Sequence, residues 1–151
     1  MKKLIVIFSA VVLGIGLSLF FRSYHFSTPI HRSGKIKWIT SIPTSLKEAK
    51  KDGRPMVLDF YAAWCEYCQL MEKTSYQNSK VIQLSHDFVM TRINVDKHKN
   101  LTEYFGIQGL PTLVFASFKT GEIGRLEGYI PPNELAHVMS EVVQSGQNQK
   151  K

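Results

Sequence analysis

The sequence predicts an α/β domain with a central mixed sheet flanked by helices, placed behind an N-terminal helix that serves as a membrane anchor or a signal. Three observations predict it. Short apolar runs, MVLDFYA at 56–62, FVMTRINV at 88–95 and TLVFASF at 112–118, alternate with segments rich in helix formers, the order that builds a parallel core. A tight turn near Gly121 leads into IGRLEGYI at 123–130 and adds an antiparallel edge hairpin. Residues 4–21, LIVIFSAVVLGIGLSLFF, carry no charge and directly follow Lys2 and Lys3.

At ~1.5 Å of rise per residue the apolar run makes roughly 27 Å of helix, close to the ~30 Å of a bilayer's hydrocarbon core. Lys2 and Lys3 favour a cytoplasmic start, which sends the remainder across the membrane. A cleaved signal has an apolar run of about 7–15 residues and small residues at the cut. This run is longer and ends in Leu19, Phe20, Phe21 and Arg22, so an uncleaved anchor is favoured. The expected division is a signal-anchor or signal peptide at 1–21, a polar linker with Pro29 and Gly34 at 22–35, the domain at 36–145 and a polar tail at 146–151.

Within the domain, IKWIT at 36–40 reads as a short first strand. SLKEAKKDG follows as a helix capped by Thr44 or Ser45 and stopped by Gly53. MVLDFYA is apolar on both faces, the mark of a central covered strand. The next helix begins at the cysteines and runs through Met71 to about Tyr76, Asn78 and Ser79 interrupt it, and VIQLSHD forms a second short piece. FVMTRINV alternates as a strand, and NLTEYFGI at 100–107 is a short helix with Asn100 as a cap. TLVFASF, the KTGE turn and IGRLEGYI form the hairpin. Pro131 and Pro132 then open a final amphipathic helix, NELAHVMSEVV.

Charge excludes one class of partner. Of the net charge of +7, the +5 beyond residue 21 is spread out, over Lys47, Lys50 and Lys51, then Lys97 and Lys99, then Lys150 and Lys151 among others, without the basic stripe or aromatic platform of a nucleic-acid surface.

The only cysteines are Cys65 and Cys68, in YAAWCEYCQLMEK. A zinc site needs four ligands, and no two of His25, His31, His86, His98 and His137 have zinc-finger spacing. Haem attachment wants a histidine where Gln69 stands. A structural staple over two intervening residues closes too small a loop to remove much chain entropy. A redox dithiol remains, and its position suits one. Cys65 falls where a buried strand hands over to a helix N-terminus, whose unpaired N–H groups stabilise a thiolate. Cys68 lies almost one turn later, placed to resolve a mixed disulfide on Cys65. Cys65 is accordingly expected to be the more exposed thiol.

DFYAAWCEYC, followed far downstream by GLPT, resembles the thioredoxin superfamily over residues 38–145. EKTSYQNSKV and Glu72 further resemble the C-terminal periplasmic domain of the DsbD family of thiol:disulfide interchange proteins. The resemblance implies a thioredoxin fold and an extracytoplasmic, periplasmic enzyme, which the apolar run at 4–21 would hold at the inner membrane. It implies no cofactor or metal beyond the Cys65–Cys68 disulfide, disulfide-containing proteins as substrates, and a separate membrane thiol protein as electron donor.

Asp59 stands in the middle of the apolar strand, where a carboxylate is costly unless paired or protonated. The resemblance places it beneath the dithiol as acceptor of the Cys68 proton; a purely structural carboxylate is the alternative. Glu72 shares a helix face with both cysteines and would raise a thiol pKa, unless it is simply solvated beside Lys73. By the same resemblance Trp64 shields the dithiol and Pro111 is a cis-proline. The Leu110 backbone then pairs with an extended substrate, and Tyr67 is either a docking aromatic or a surface filler. Reduction of envelope disulfides is the leading function. A dithiol oxidase or isomerase, or a copper-handling or cytochrome c maturation thiol module, are the alternatives.

Overall fold

A computed structural model describes residues 34–148. The anchor or signal expected over 1–21, and all but Gly34 and Lys35 of the expected linker, lie outside the described residues. Among the described residues no helix is long and apolar enough to cross a membrane.

The segment 36–40 is not a strand in its own right. Ile39 alone bridges Thr91, its N–H donating to Met90 and its carbonyl accepting from Arg92. Helix formation then intervenes at once, because Pro43 sits in the first turn of α1 (Ile42–Asp52) with its φ already set for a helix. The cap is Ser41, whose hydroxyl accepts from the Thr44 N–H, rather than Thr44 or Ser45. Gly53 ends the helix at φ 64°, the left-handed stop expected of it.

Four strands follow: β1 (Met56–Tyr61), β2 (Val89–Asn94), β3 (Thr112–Ser117) and β4 (Gly121–Glu127). They order as β2-β1-β3-β4 in one mixed sheet. β1 and β2 are parallel, whereas β3 runs antiparallel to β1, so the parallel core predicted by alternation stops after two strands. Between β2 and β3 the chain makes one short helix, α4 (Lys99–Tyr104), and does not return along the sheet: β3 starts at the end where β2 finished, with Thr112 opposite Phe60. The β3–β4 hairpin forms as expected, with a register shift at Phe115/Ala116.

The cysteine helix ends earlier than the expected Tyr76, and of the two interrupting residues Asn78 is a cap while Ser79 already belongs to the next helix. α2 (Glu66–Lys73) gives way at Thr74 to a 3-10 turn (Ser75–Gln77), and Asn78 caps α3 (Ser79–Ser85) by accepting from the Lys80 and Val81 N–H groups. The last helix, α5 (Pro132–Asn148), starts at its expected proline and continues through Ser145–Asn148, beyond the Val143 where the apolar pattern fades.

Strand alternation sorts the core into two layers. Met56, Leu58 and Phe60 of β1, with Val89 and Ile93 of β2 and Val114 of β3, pack with Ala49, Leu101 and Phe105. On the opposite face Val57, Met90, Leu113 and Phe115 pack with Met71, Tyr76, Val81, Leu135 and Met139. Each large side chain so withdrawn from water contributes about 1.5–3 kcal/mol. Asp59, two residues after Val57, falls by the same alternation on the second face, the one covered by Met71 of the cysteine helix.

Candidate active site

Cys65 is the N-cap of α2, in extended conformation (φ −81°, ψ 111°), and its sulfur accepts from the Cys68 N–H at 3.1 Å. The helix thus offers its first-turn N–H directly to Sγ, the arrangement that lowers a cap thiol's pKa. The two cysteines are joined in a disulfide with Cα atoms 5.2 Å apart. In this state both are buried, Cys65 at 6% and Cys68 at 4% relative exposure, so the expected difference in exposure is not expressed. What distinguishes them is the cap. Tyr61, Val95 and Leu110 pack around the pair and Ala62.

Leu110 precedes a cis peptide bond to Pro111. The Pro111 carbonyl is taken by the Gly128 N–H, while Leu110's backbone groups bond to no other backbone group among the described residues. Trp64 and Tyr67 stand out, 67% and 60% exposed, with Leu70 partly so. The Trp64 indole N–H is directed to the Asp96 carboxylate at 3.2 Å, which ties the ring to the loop after β2.

Asp59 is 1% exposed. Parallel register sets Arg92 opposite it, and Arg92 Nε donates to Asp59 Oδ2 at 3.0 Å. Arg92 Nη1 donates to Glu72 on α2, so one guanidinium joins both carboxylates singled out in the sequence. Its central carbon lies 4.1 Å from the Tyr61 ring centroid and 5.1 Å from the Trp38 ring, within cation–π range. Trp38 in turn meets Tyr76 edge-on at 5.0 Å.

Burial raises the Asp59 pKa from 3.8 to about 6, against the opposing pull of Arg92 and of the Tyr76 hydroxyl, with the charge of Glu72 adding to the rise. The Tyr76 hydroxyl faces the carboxyl, although among the described residues neither it nor Asp59 Oδ1 has a partner in full hydrogen-bonding geometry. Burial and the same carboxylate push the Tyr76 phenol well above its usual range. Burial works against the Arg92 charge, but Asp59 and Glu72 outweigh it and hold the guanidinium more firmly protonated.

A family model described as a thioredoxin-like domain matches residues 42–142. The chain belongs to the thioredoxin-like family. It is 29% identical over 127 residues to the chloroplastic thioredoxin-like protein HCF164 of Arabidopsis thaliana, covering 84% of this chain and 47% of that one. It is 24% identical over 147 residues to the thiol:disulfide interchange protein DsbD of Campylobacter jejuni, covering 89% of this chain and 26% of that one. The chain thus spans less than half the length of either relative. Among solved structures it resembles a thioredoxin from Thermus thermophilus, with a TM-score of 0.68 and 28% identity, over 78% of this chain and 95% of that one. Its thioredoxin-like domain carries a Cys-x-x-Cys pair, Cys65 and Cys68.

The thioredoxin-like site brings Cys65, Cys68, Tyr61 and Leu110 into one packed group, and Asp59, Glu72 and Arg92 into a second. Asp59 hydrogen-bonds to neither sulfur among the described residues; its charged partner is Arg92. Sequence reading missed Arg92, Trp38, Tyr61, Tyr76 and Asp96. The one available signal was an arginine inside the alternating strand FVMTRINV, on the same parity as Met90 of the core.

Proposed function

We propose that this thioredoxin-like chain reduces disulfides in proteins outside the cytoplasm, with Cys65 as the attacking thiol, Cys68 as the resolving thiol and Asp59 as the acceptor of the Cys68 proton. The observation that carries the reading is Asp59: a carboxyl buried beneath the cysteine helix, with its pKa raised to about 6, near a neutral working pH.

The Cys65 thiolate attacks a substrate disulfide, forming a mixed disulfide and expelling one substrate thiolate. Cys68 loses its proton towards Asp59 and attacks Cys65 Sγ. The second substrate thiolate leaves, Cys65 and Cys68 become a disulfide, and two electrons have passed to the substrate. Trp64, Tyr67, Leu110 and Pro111 form the docking surface. Its support is the exposed Trp64 and Tyr67 rings and the unused backbone groups of Leu110 beside the disulfide. Glu72 moderates the thiols by its negative charge. A separate membrane thiol protein restores the dithiol, and residues 4–21 anchor the chain to the inner membrane with the domain at 36–145 on the periplasmic side. The likeness to a protein named for thiol:disulfide interchange supports thiol–disulfide exchange at this pair.

The test is insulin-disulfide reduction over a pH series. Asp59→Asn should slow the reaction near neutrality by about tenfold to a hundredfold, with the gap closing as hydroxide takes over proton removal. Circular dichroism should show an intact fold. A wild-type profile in Asp59→Asn would reduce Asp59 to a structural carboxylate.

A further inference from the structure

We propose that Arg92 is a positioning residue that couples Glu72, at the surface of the cysteine helix, to Asp59 beneath it. The inference rests on the reading of Asp59 as the proton acceptor and names what controls it.

Three observations carry it. First, one cation serves two carboxylates on different elements: Nε is given to Asp59 of β1 and Nη1 to Glu72 of α2. With both carboxylates ionised the group carries one negative charge in excess, so a proton on either carboxylate changes the claim of the other on the guanidinium. Second, the two carboxylates differ sharply in access. The Asp59 side chain is 1% exposed, whereas that of Glu72 is 40% exposed on the helix that carries Cys68 one turn earlier. Glu72 can therefore exchange with solvent and partners directly, whereas Asp59 is reached from that side through the guanidinium they share. Third, the guanidinium is held. Its side chain is 16% exposed, it lies against Tyr61, and Trp38 of the arm before α1 faces it as well. Tyr61 also packs on the disulfide group, which brings this clamp up to the reacting sulfurs. A lysine could not reproduce the fork, because its single ammonium lacks two divergent N–H edges in a fixed plane.

The titratable and charged groups facing Asp59 are Arg92 from β2, Glu72 from α2 and Tyr76 from the 3-10 turn; the disulfide-bonded cysteines do not titrate. Arg92 favours the charged carboxylate and Glu72 opposes it. Neutralising Glu72 removes the opposing charge and also leaves the guanidinium to Asp59 alone. Both effects lower the proton affinity of Asp59, and the second exists only if Arg92 is the link.

The test is an NMR titration of the Asp59 side-chain carboxyl in the oxidised full chain, for wild type, Arg92→Met, Glu72→Gln and the double variant. Arg92→Met should raise the Asp59 midpoint by about one pH unit or more, and Glu72→Gln should lower it by about half a unit. In the Arg92→Met background the effect of Glu72→Gln should shrink by about half or more. An Asp59 midpoint unmoved by Arg92→Met, or a Glu72→Gln effect equal in both backgrounds, overturns the proposal. Should Arg92→Met fail to fold, Arg92→Lys takes its place: the shrinkage is expected there too, and an undiminished Glu72→Gln effect overturns it. The titration needs no turnover. A wild-type rate profile for Asp59→Asn would remove the base and leave this coupling standing, whereas additive titrations would remove the coupling and leave the base.

Discussion

Replacing Asp59 by Asn removes a titrating group that burial holds at a pKa of about 6 in place of 3.8. A carboxyl whose proton affinity rises on folding binds more protons in the folded state between those two values, so stability falls as pH rises through that window. At about 1.4 kcal/mol per tenfold change in proton affinity, the full displacement amounts to about 3 kcal/mol. No discount for solvent screening applies, because Asp59 is 1% exposed. Over the accessible part of the window, from about pH 7.5 down to about pH 4.5, wild type should gain about 2 kcal/mol relative to Asp59→Asn. The assay is guanidinium chloride unfolding of both oxidised proteins at the two pH values, followed by far-ultraviolet circular dichroism. Other carboxylates titrate there too, but they are common to both proteins and cancel in the difference. The lost Asp59–Arg92 attraction can move the Asn variant's absolute stability either way, which is why the pH difference is the quantity compared. Parallel stability curves would refute the raised pKa, and with it the reason for placing a base at Asp59.

Two further outcomes follow from the site and from the N-terminal sequence. Alkylation of the reduced protein at neutral pH should label Cys65 before Cys68, because Cys65 Sγ already receives a helix N–H; mass spectrometry of the first adduct checks it, and prior labelling of Cys68 would reverse the two roles. Carbonate-washed membranes of cells expressing the full chain should retain it through residues 4–21, and release of a shortened soluble form would favour a cleaved signal.

What the sequence made legible is what short-range chemistry decides. The strand at Met56–Tyr61, the cysteines at a strand-to-helix junction, the stop at Gly53 and the break at Asn78 each depend on residues within one or two turns of themselves. Asp59 could be singled out because a carboxylate among Val57, Leu58 and Phe60 is anomalous without any partner in view. Its partner could not. Arg92 lies 33 residues away and meets Asp59 only because β1 and β2 pair in parallel at one particular register, and a slip of one residue would turn it to the opposite face. The direction of β3 is illegible for a related reason: alternation of elements suggests crossovers, but which edge and direction a strand takes is settled by long-range pairing, here Asp59 with Leu113. Ser41 was overlooked as a cap because Thr44 and Ser45 are equally good cap residues; Pro43, which belongs in a first turn, arbitrates for Ser41.

Trp38 has a bearing on where this domain starts. The region common to the family begins at residue 42, so a fragment cut to that boundary keeps both cysteines, the whole sheet and every helix from α1 onward. It would nonetheless lose Ile36 from the core, the bridge from Ile39 to Thr91, and one of the two aromatic rings against Arg92. Such a fragment should fold and carry its disulfide, yet leave the guanidinium that bridges Asp59 and Glu72 less covered. The arm before α1 thus helps to hold that bridge, and a minimal domain that keeps this cover has to reach back to residue 36.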